Sequence, residues 1–314
     1  MEVFRVLDPG PFTTVQDMGR YGFQQFGVPV SGAMDQFAYR VANLLVGNHQ
    51  GAAALEITAF GPRLEVLSEA DVAVTGADIP LLLDGEELPR WASVRVRPGQ
   101  VLSFGPLRGG CRAYLAVSGG IDVPLVMGSR STCVGARIGG YEGRPLTKGD
   151  VLRKGDGELL KRPRVLPEDL VPTYPRQWEL RAIPGPQDDH FDEGLDVFFS
   201  AEFVITPRAN RMGYRLQGPE VRHKEGMPKG IISEASVPGA VQVPPDGQPI
   251  VLGLEQTVGG YTKIATVITV DMDRLAQAKP GEKVRFQRVD LKTAHALYRE
   301  REEKLQRIEA ILGG

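Results

Sequence analysis

Two cysteines in 314 residues, Cys111 and Cys133, are too few for a disulfide framework, and their spacing matches no usual zinc pattern. They read as core thiols in a reducing cytosol. There is no Lys/Arg-rich block, and 37 basic residues nearly balance 39 acidic ones, leaving a formal charge of -2. That balance argues against a binder of nucleic-acid backbones. No apolar run is long enough to span a bilayer, and the opening "MEVFRVLDPGPFTTVQD" lacks a basic segment followed by an apolar one. A cytoplasmic protein is expected, with no membrane contact. The four histidines are scattered, so a histidine-based metal site or triad has little support. A Walker A loop, HExxH, a nucleophile elbow, a CxxC pair and a Rossmann fingerprint are all missing. Small molecules and protein partners remain.

What the chain has in quantity is glycine and proline, which punctuate short runs such as "DVAVTG", "RAYLAVSGG", "AEFVITP" and "GAVQVP". Many short strands without alternating helices predict a mainly β protein of barrels or sandwiches. Two helices are expected. In "SGAMDQFAYRVANLLVGN", Phe37, Val41, Leu44 and Leu45 recur at helical spacing, Ser31 can cap the start, and Gly47 suits the left-handed stop. Near the end, Leu291, Tyr298, Leu305, Ile308 and Leu312 fall on roughly one face.

Prolines and charges replace periodicity in "KGDGELLKRPRVLPEDLVPTYPRQ". The expected division is a barrel over 1–154, a linker over 155–177, a second barrel over 178–290 and a helix over 291–314. A faint echo links the halves: "SGGIDVP" then "KGDVLRK" resembles "VGGYTKI" then "PGEKVRF". Related barrels or chance recurrence of common turns both explain it.

Four polar, glycine-bearing segments are candidates for chemistry. "GPFTTVQDMGRYGFQQFGVPVSGAMD" holds Gln16, Asp17, Arg20, Ser31 and Asp35 before a helix, an arrangement suited to an anion, or equally to a turn-locking Asp17–Arg20 pair with Ser31 and Asp35 capping the helix. "TPRANRMGYRLQGP" places Asn210 beside Arg211, which can hold a carboxylate bidentately or line a solvated edge. "IISEASVPGAVQVPPDGQP" carries Glu234 next to an apolar pair, where proton transfer is one role and plain exposure the other, and also Gln242. "LEQTVGGYTKIATVITVD" sets Thr257, Gly259, Gly260, Tyr261 and Lys263 where a simple hairpin would need only Asn-Gly. Backbone amides and Lys263 there can stabilise an oxyanion, or Lys263 can be a surface lysine.

Together, "GPFTTVQDMGRYGFQQFGVPVSGAMDQFAYRVANLLVGN", "LEITAFGPRLEV", "VTGAD", "AIPGPQDD", "NRMGYRL", "QVPPDGQPIVLGLEQTVGGYTKIATV" and "PGEKVRF" strongly resemble the PxpC/KipA family, also described as allophanate hydrolase subunit 2 or biotin-dependent carboxyltransferase-like. The resemblance runs over roughly residues 3–290. It implies two cyclophilin-like β-barrel domains with a few peripheral helices. It further implies the PxpC-type component of an ATP-dependent 5-oxoprolinase, inactive alone, which works with PxpB/KipI-like and PxpA-like subunits to convert 5-oxo-L-proline to L-glutamate. ATP would act through the assembled complex, and no cofactor would be attached covalently to this chain, which lacks a biotin-attachment motif. Fused relatives imply an alternative, a carboxyltransferase that moves the carboxyl group of carboxybiotin to urea. A KipA-like regulator countering a sensor-kinase inhibitor is another.

On this resemblance Lys263, Arg211 and Glu234 are expected to be catalytic. Asn210, Gln242, Thr257, Gly259, Gly260, Tyr261, Gln16, Asp17, Arg20 and Ser31 are expected to bind a small amide substrate. The segment from Thr257 to Lys263 should face Asn210 and Arg211 across one pocket, with no metal involved. Where many members read "LADRQTTGGYPKIA", this chain reads "LGLEQTVGGYTKIA", so Glu255, Val258 and Thr262 stand in place of arginine, threonine and proline.

Overall fold

The structure, a computed structural model, describes residues 1–313. The chain forms two compact units. One comprises residues 1–20, 31–174 and the chain from Glu303 onward; the other comprises residues 21–30 and 175–302.

In the first unit the strands are β1 (Glu2–Asp8), β2 (Thr13–Gln16), β3 (Ala54–Thr58), β4 (Arg63–Val66), β5 (Ala70–Asp78), β6 (Leu81–Leu83), β7 (Glu86–Leu88), β8 (Ser93–Val96), β9 (Val101–Phe104), β10 (Gly109–Val117) and β11 (Val151–Arg153), with helix α1 (Gln36–Leu45). They build a six-stranded sheet ordered β11-β1-β4-β9-β6-β7 and a five-stranded sheet ordered β2-β3-β10-β5-β8. One core joins the two sheets. Phe4, Leu64 and Leu102 of the first meet Leu55, Val72 and Leu115 of the second. Each such side chain stabilises the fold by about 1.5–3 kcal/mol relative to exposure.

The period-2 rule of a strand puts alternate residues of β10 on opposite faces. Ala113, Leu115 and Val117 enter that core, while Tyr114 and Ala116 face the other way with Ala54 and Ala73. There α1 packs with Phe37, Val41, Leu44 and Leu45, and the small alanines permit its close approach. Being covered on both faces, β10 reads as a near-continuous apolar run.

Ser31 is not the cap of α1. Asp35 is, its Oδ1 accepting from Ala38 N at 2.9 Å, because it alone directly precedes the first helical turn with extended backbone. Gly47 does follow the last turn with φ 79°. Residues 155–174, expected as part of a linker, are instead packed on the first unit. Leu160 N donates to Asp71 (2.6 Å), Arg164 N donates to Ser93 (2.7 Å), and Leu166 and Leu170 are buried beside α1. Two apolar anchors among prolines suffice to dock the stretch.

In the second unit the elements are β12 (Gln177–Pro184), α2 (Glu193–Ser200), β13 (Phe203–Ile205), β14 (Gly213–Gln217), β15 (Gly230–Ala235), β16 (Ala240–Val243), β17 (Ile250–Leu252), β18 (Val258–Val267), α3 (Thr269–Gln277) and β19 (Lys283–Arg288). The last helix, α4 (Leu291–Gly313), runs on into the first unit. Seven strands close a barrel in the order β12-β19-β13-β14-β17-β16-β18, since β18 pairs back to β12 through Ala182 and Val267. Closure removes free sheet edges. The strand left outside is β15, which pairs with the first half of β18.

The expected echo does not extend to topology: β11 lies antiparallel to β1, but β19 lies parallel to β12. On α4, Leu305, Ile308 and Leu312 bury beside α1, whereas Leu291 and Tyr298, expected on the same face, remain exposed. The mainly β expectation holds, with four α-helices among the described residues.

Candidate functional site

The "TTVQDMGR" segment ends β2 at one side of the five-stranded sheet, where Val15 enters the core and Gln16 turns away from it. Gln16 donates through Nε2 to Thr14 Oγ1 (3.0 Å) and the Thr132 carbonyl (3.1 Å), and its Oε1 accepts from Gly32 N at 3.1 Å. Asp17 gathers four donors. Its Oδ1 accepts from Ser129 Oγ (2.7 Å), Ser131 Oγ (2.5 Å) and Gly19 N (2.9 Å), and its Oδ2 accepts from Arg130 N (2.5 Å).

Arg20 is fully buried and donates to the Val126 and Ser131 carbonyls at 2.8 and 2.9 Å. Burial holds its pKa below the ordinary guanidinium value, against the opposing pull of the Asp17 carboxylate. Asp17 and Arg20 therefore grip the hairpin at 126–131 rather than each other. Two buried polar atoms of this segment lack hydrogen-bond partners among the described residues, Arg20 Nη1 and Ser31 Oγ, and Ser31 sits at φ 55°. Expected to bind substrate, Gln16, Asp17 and Arg20 thus direct most of their hydrogen bonds inward.

A buried network next to it was not legible. Glu56 Oε2 accepts from Tyr114 Oη and Met34 N, both at 2.8 Å, and Tyr114 Oη accepts from Asp35 N at 2.8 Å. Strand alternation alone could have placed Glu56 and Tyr114 on one face, since they are ladder partners.

In the second unit β18 is long because, besides closing the barrel against β12, it pairs with two further strands. Its first half pairs with β15 (Glu234 opposite Gly259) and its second half with β16 (Gln242 opposite Lys263). That double pairing assembles a compact polar cluster. The Lys263 side chain is 6% exposed and its ammonium donates to Glu234 Oε1. Gln242 is buried, its Nε2 has no hydrogen-bond partner among the described residues, and it lies against Gly259 so closely that a Cβ there would stand 2.1 Å from that nitrogen. Glycine at 259 is what allows the Gln242 amide to occupy this space.

The sequence reading missed Gln187. Its Oε1 accepts from Lys263 N (3.0 Å) and its own N–H donates to the Lys263 carbonyl (3.2 Å), so the backbone that carries the ammonium is held on two sides. Gly185 makes that approach possible, as a Cβ would fall 2.2 Å from the Lys263 carbonyl oxygen. The run "AIPGPQDD" was the available signal.

Other expected site residues are placed differently. Arg211 donates through Nε to Glu255 Oε1 at 2.6 Å, with both side chains under a tenth exposed. Asn210 Oδ1 accepts from Met212 N and Gly213 N, a local turn. The Thr257 carbonyl accepts from Ser236 N, and Tyr261 is 41% exposed. Lys263 is level with Gln242, Ile250 and Arg215 across the ladders. Arg211 lies outside that level, in the Asn210–Gly213 turn that precedes β14.

Two of the three departures from the resembled pattern have found partners. Glu255 holds Arg211, and Thr262 Oγ1 lies 2.8 Å from His223 Nε2. Burial lowers the His223 pKa from the ordinary imidazole value, and Lys229 and His190 add to the effect. Among the described residues no group of three or more His, Cys, Asp or Glu side chains is placed to hold a metal ion, and no helix is long and apolar enough to cross a membrane.

The chain is 41% identical over 296 residues to the 5-oxoprolinase C-subunit of Escherichia coli, covering 93% of both proteins. It is 36% identical over 309 residues to the 5-oxoprolinase C-subunit of Haemophilus influenzae, covering 98% of both. The crystal structure of Kluyveromyces lactis urea amidolyase superposes with a TM-score of 0.92 at 32% identity over 98% of this chain; the chain spans only 20% of that much longer one. Residues 26–288, which carry the closed barrel and the Lys263 cluster, match the family model described as carboxyltransferase domain, subdomain A and B, and to that family the chain belongs.

Proposed function

We propose that the chain is the PxpC-type component of an ATP-dependent 5-oxoprolinase, a lactam hydrolase subunit that contributes a substrate site and is inactive alone. The observation that carries this reading is the near end-to-end likeness to two proteins of that description. Lys263 supplies a buried positive charge for an anionic oxygen of 5-oxo-L-proline, and the Gln242 amide donates beside it. The carboxylate-holding role expected of Arg211 is not carried into this reading, because its guanidinium already holds Glu255. ATP-dependent activation belongs to the partners, a PxpB/KipI-like and a PxpA-like subunit in the cytoplasm. Reconstitution tests this: glutamate should form from 5-oxo-L-proline only when this chain, both partners and ATP are combined. Turnover by this chain alone, or none in the full mixture, refutes it.

The likeness to urea amidolyase favours a second reading, transfer of a carboxyl group from carboxybiotin to urea with a separate biotinylated carrier. Urea-dependent loss of label from carboxylated carrier would support it over the first.

A further inference from the structure

The Lys263–Glu234 pair joins unequal partners. The lysine side chain is 6% exposed and the glutamate side chain 51%. Lys263 is fixed, since Gln187 grips its backbone on both sides and β16 pairs with it. Glu234 belongs to β15, outside the closed barrel. That strand meets β18 at Gly230 and again at Glu234 and Ala235, with a break in register between them, and within the break Ile232 is 92% exposed. A strand with so few buried contacts opens locally at low cost. The lysine charge, by contrast, sits where a missing anion is expensive. Next to it the Gln242 Nε2 is a buried donor without a partner among the described residues. The free site thus holds two inward donors, one occupied by a carboxylate that can return to water and one unoccupied.

We propose that Glu234 is a specificity-determining counter-charge: it holds Lys263 while the site is empty and is displaced by the carboxylate of an incoming small acid. One oxygen of that carboxylate takes the Lys263 ammonium and the other the Gln242 amide, while β15 swings away with Glu234. The buried charge is compensated before and after the exchange. A neutral ring lacking the carboxylate cannot displace Glu234, so the pair selects acids over neutral amides. For the identity of the acid, 5-oxo-L-proline, the proposal rests on the function proposed above.

The test compares wild type with Glu234→Gln in the reconstituted complex. With the competing charge removed, KM for 5-oxo-L-proline should fall about tenfold with kcat within about twofold, and inhibition by 2-pyrrolidinone, the same ring without the carboxylate, should not change. An unchanged KM overturns the proposal. So does a loss of kcat at constant KM, which would make Glu234 a proton-transfer group. Amide hydrogen exchange at residues 230–235 of wild type is the second measurement, with 5-oxo-L-proline and acetate as carboxylate probes and 2-pyrrolidinone as control. Faster exchange with a carboxylate but not with the neutral ring supports displacement; no acceleration by either carboxylate refutes it. If acetate accelerates exchange but the complex does not turn over 5-oxo-L-proline, the assigned function fails and the displaceable counter-charge stands.

Discussion

Asp17→Ala separates a structural role from a binding role in the first polar segment. The carboxylate accepts two hydroxyl and two backbone N–H hydrogen bonds, and the residue is only 8% exposed. Hydrogen bonds to a charged group contribute about 1.5–3 kcal/mol each. They are not additive, since Ser129 and Ser131 can rotate toward other acceptors, whereas the N–H groups of Gly19 and Arg130 cannot. Two stranded N–H groups, together with Arg20 deprived of its nearby negative charge, give an expected loss of about 4 kcal/mol. At about 2–4 °C per kcal/mol for a unit of this size, Tm should fall by about 8–16 °C.

Asp17→Asn should cost about half as much. Its remaining oxygen can keep the three donors that converge on Oδ1, while its NH₂ faces Arg130 N–H donor to donor. Scanning calorimetry on both variants reads the order directly. An Asp17→Ala protein that melts within about 1 °C of wild type refutes the bracing role. If that protein also failed to turn over substrate in the complex, Asp17 would be a binding residue after all.

Lys263→Ala should lower kcat/KM of the assembled enzyme roughly a hundredfold with little change in Tm, because the half-exposed Glu234 can return to water; steady-state kinetics beside a melt checks both. Gly259→Ala should displace the Gln242 amide and reduce turnover about tenfold, at a stability cost under about 1 kcal/mol, since only the end of a flexible side chain must move; unaltered kinetics would remove Gln242 from the site. Glu255→Ala takes the 2.6 Å partner from a buried guanidinium and should cost about 3–5 kcal/mol in urea unfolding, most of it recovered in Arg211→Met/Glu255→Leu. His223 has a folded pKa below its unfolded value near 6.5, so the unfolded chain binds more protons between the two. Its contribution is present above pH 6.5 and is lost as pH falls through the folded pKa, and the wild-type minus His223→Gln difference in Tm should shrink over that window.

The sequence by itself determined the mainly β class, because glycine and proline spacing limits strand length wherever the chain folds, and it determined α1, because Phe37, Val41, Leu44 and Leu45 can share a face only in a helix. It also singled out Gly259 and Lys263 as candidates, since a polar, glycine-bearing turn beside an apolar run is unusual chemistry for a hairpin, and Glu234 for its place beside an apolar pair, with Gln242 in the same segment. Which of these residues meet was decided by tertiary structure alone. Lys263 reaches Glu234 and Gln242 because β18 changes partner midway, from β15 to β16, and no local pattern records such a change. The same limit explains Arg211: its neighbours in sequence suit a carboxylate site, yet the ends of β14 and β17 bring Glu255 to it instead. Asp17 and Arg20 looked like a pair because they are three residues apart, but their partners, at 126–131, come from more than 100 residues away. Local sequence fixes conformational preference over one turn or strand; hydrogen-bond partners across such separations are chosen by the packing of whole sheets.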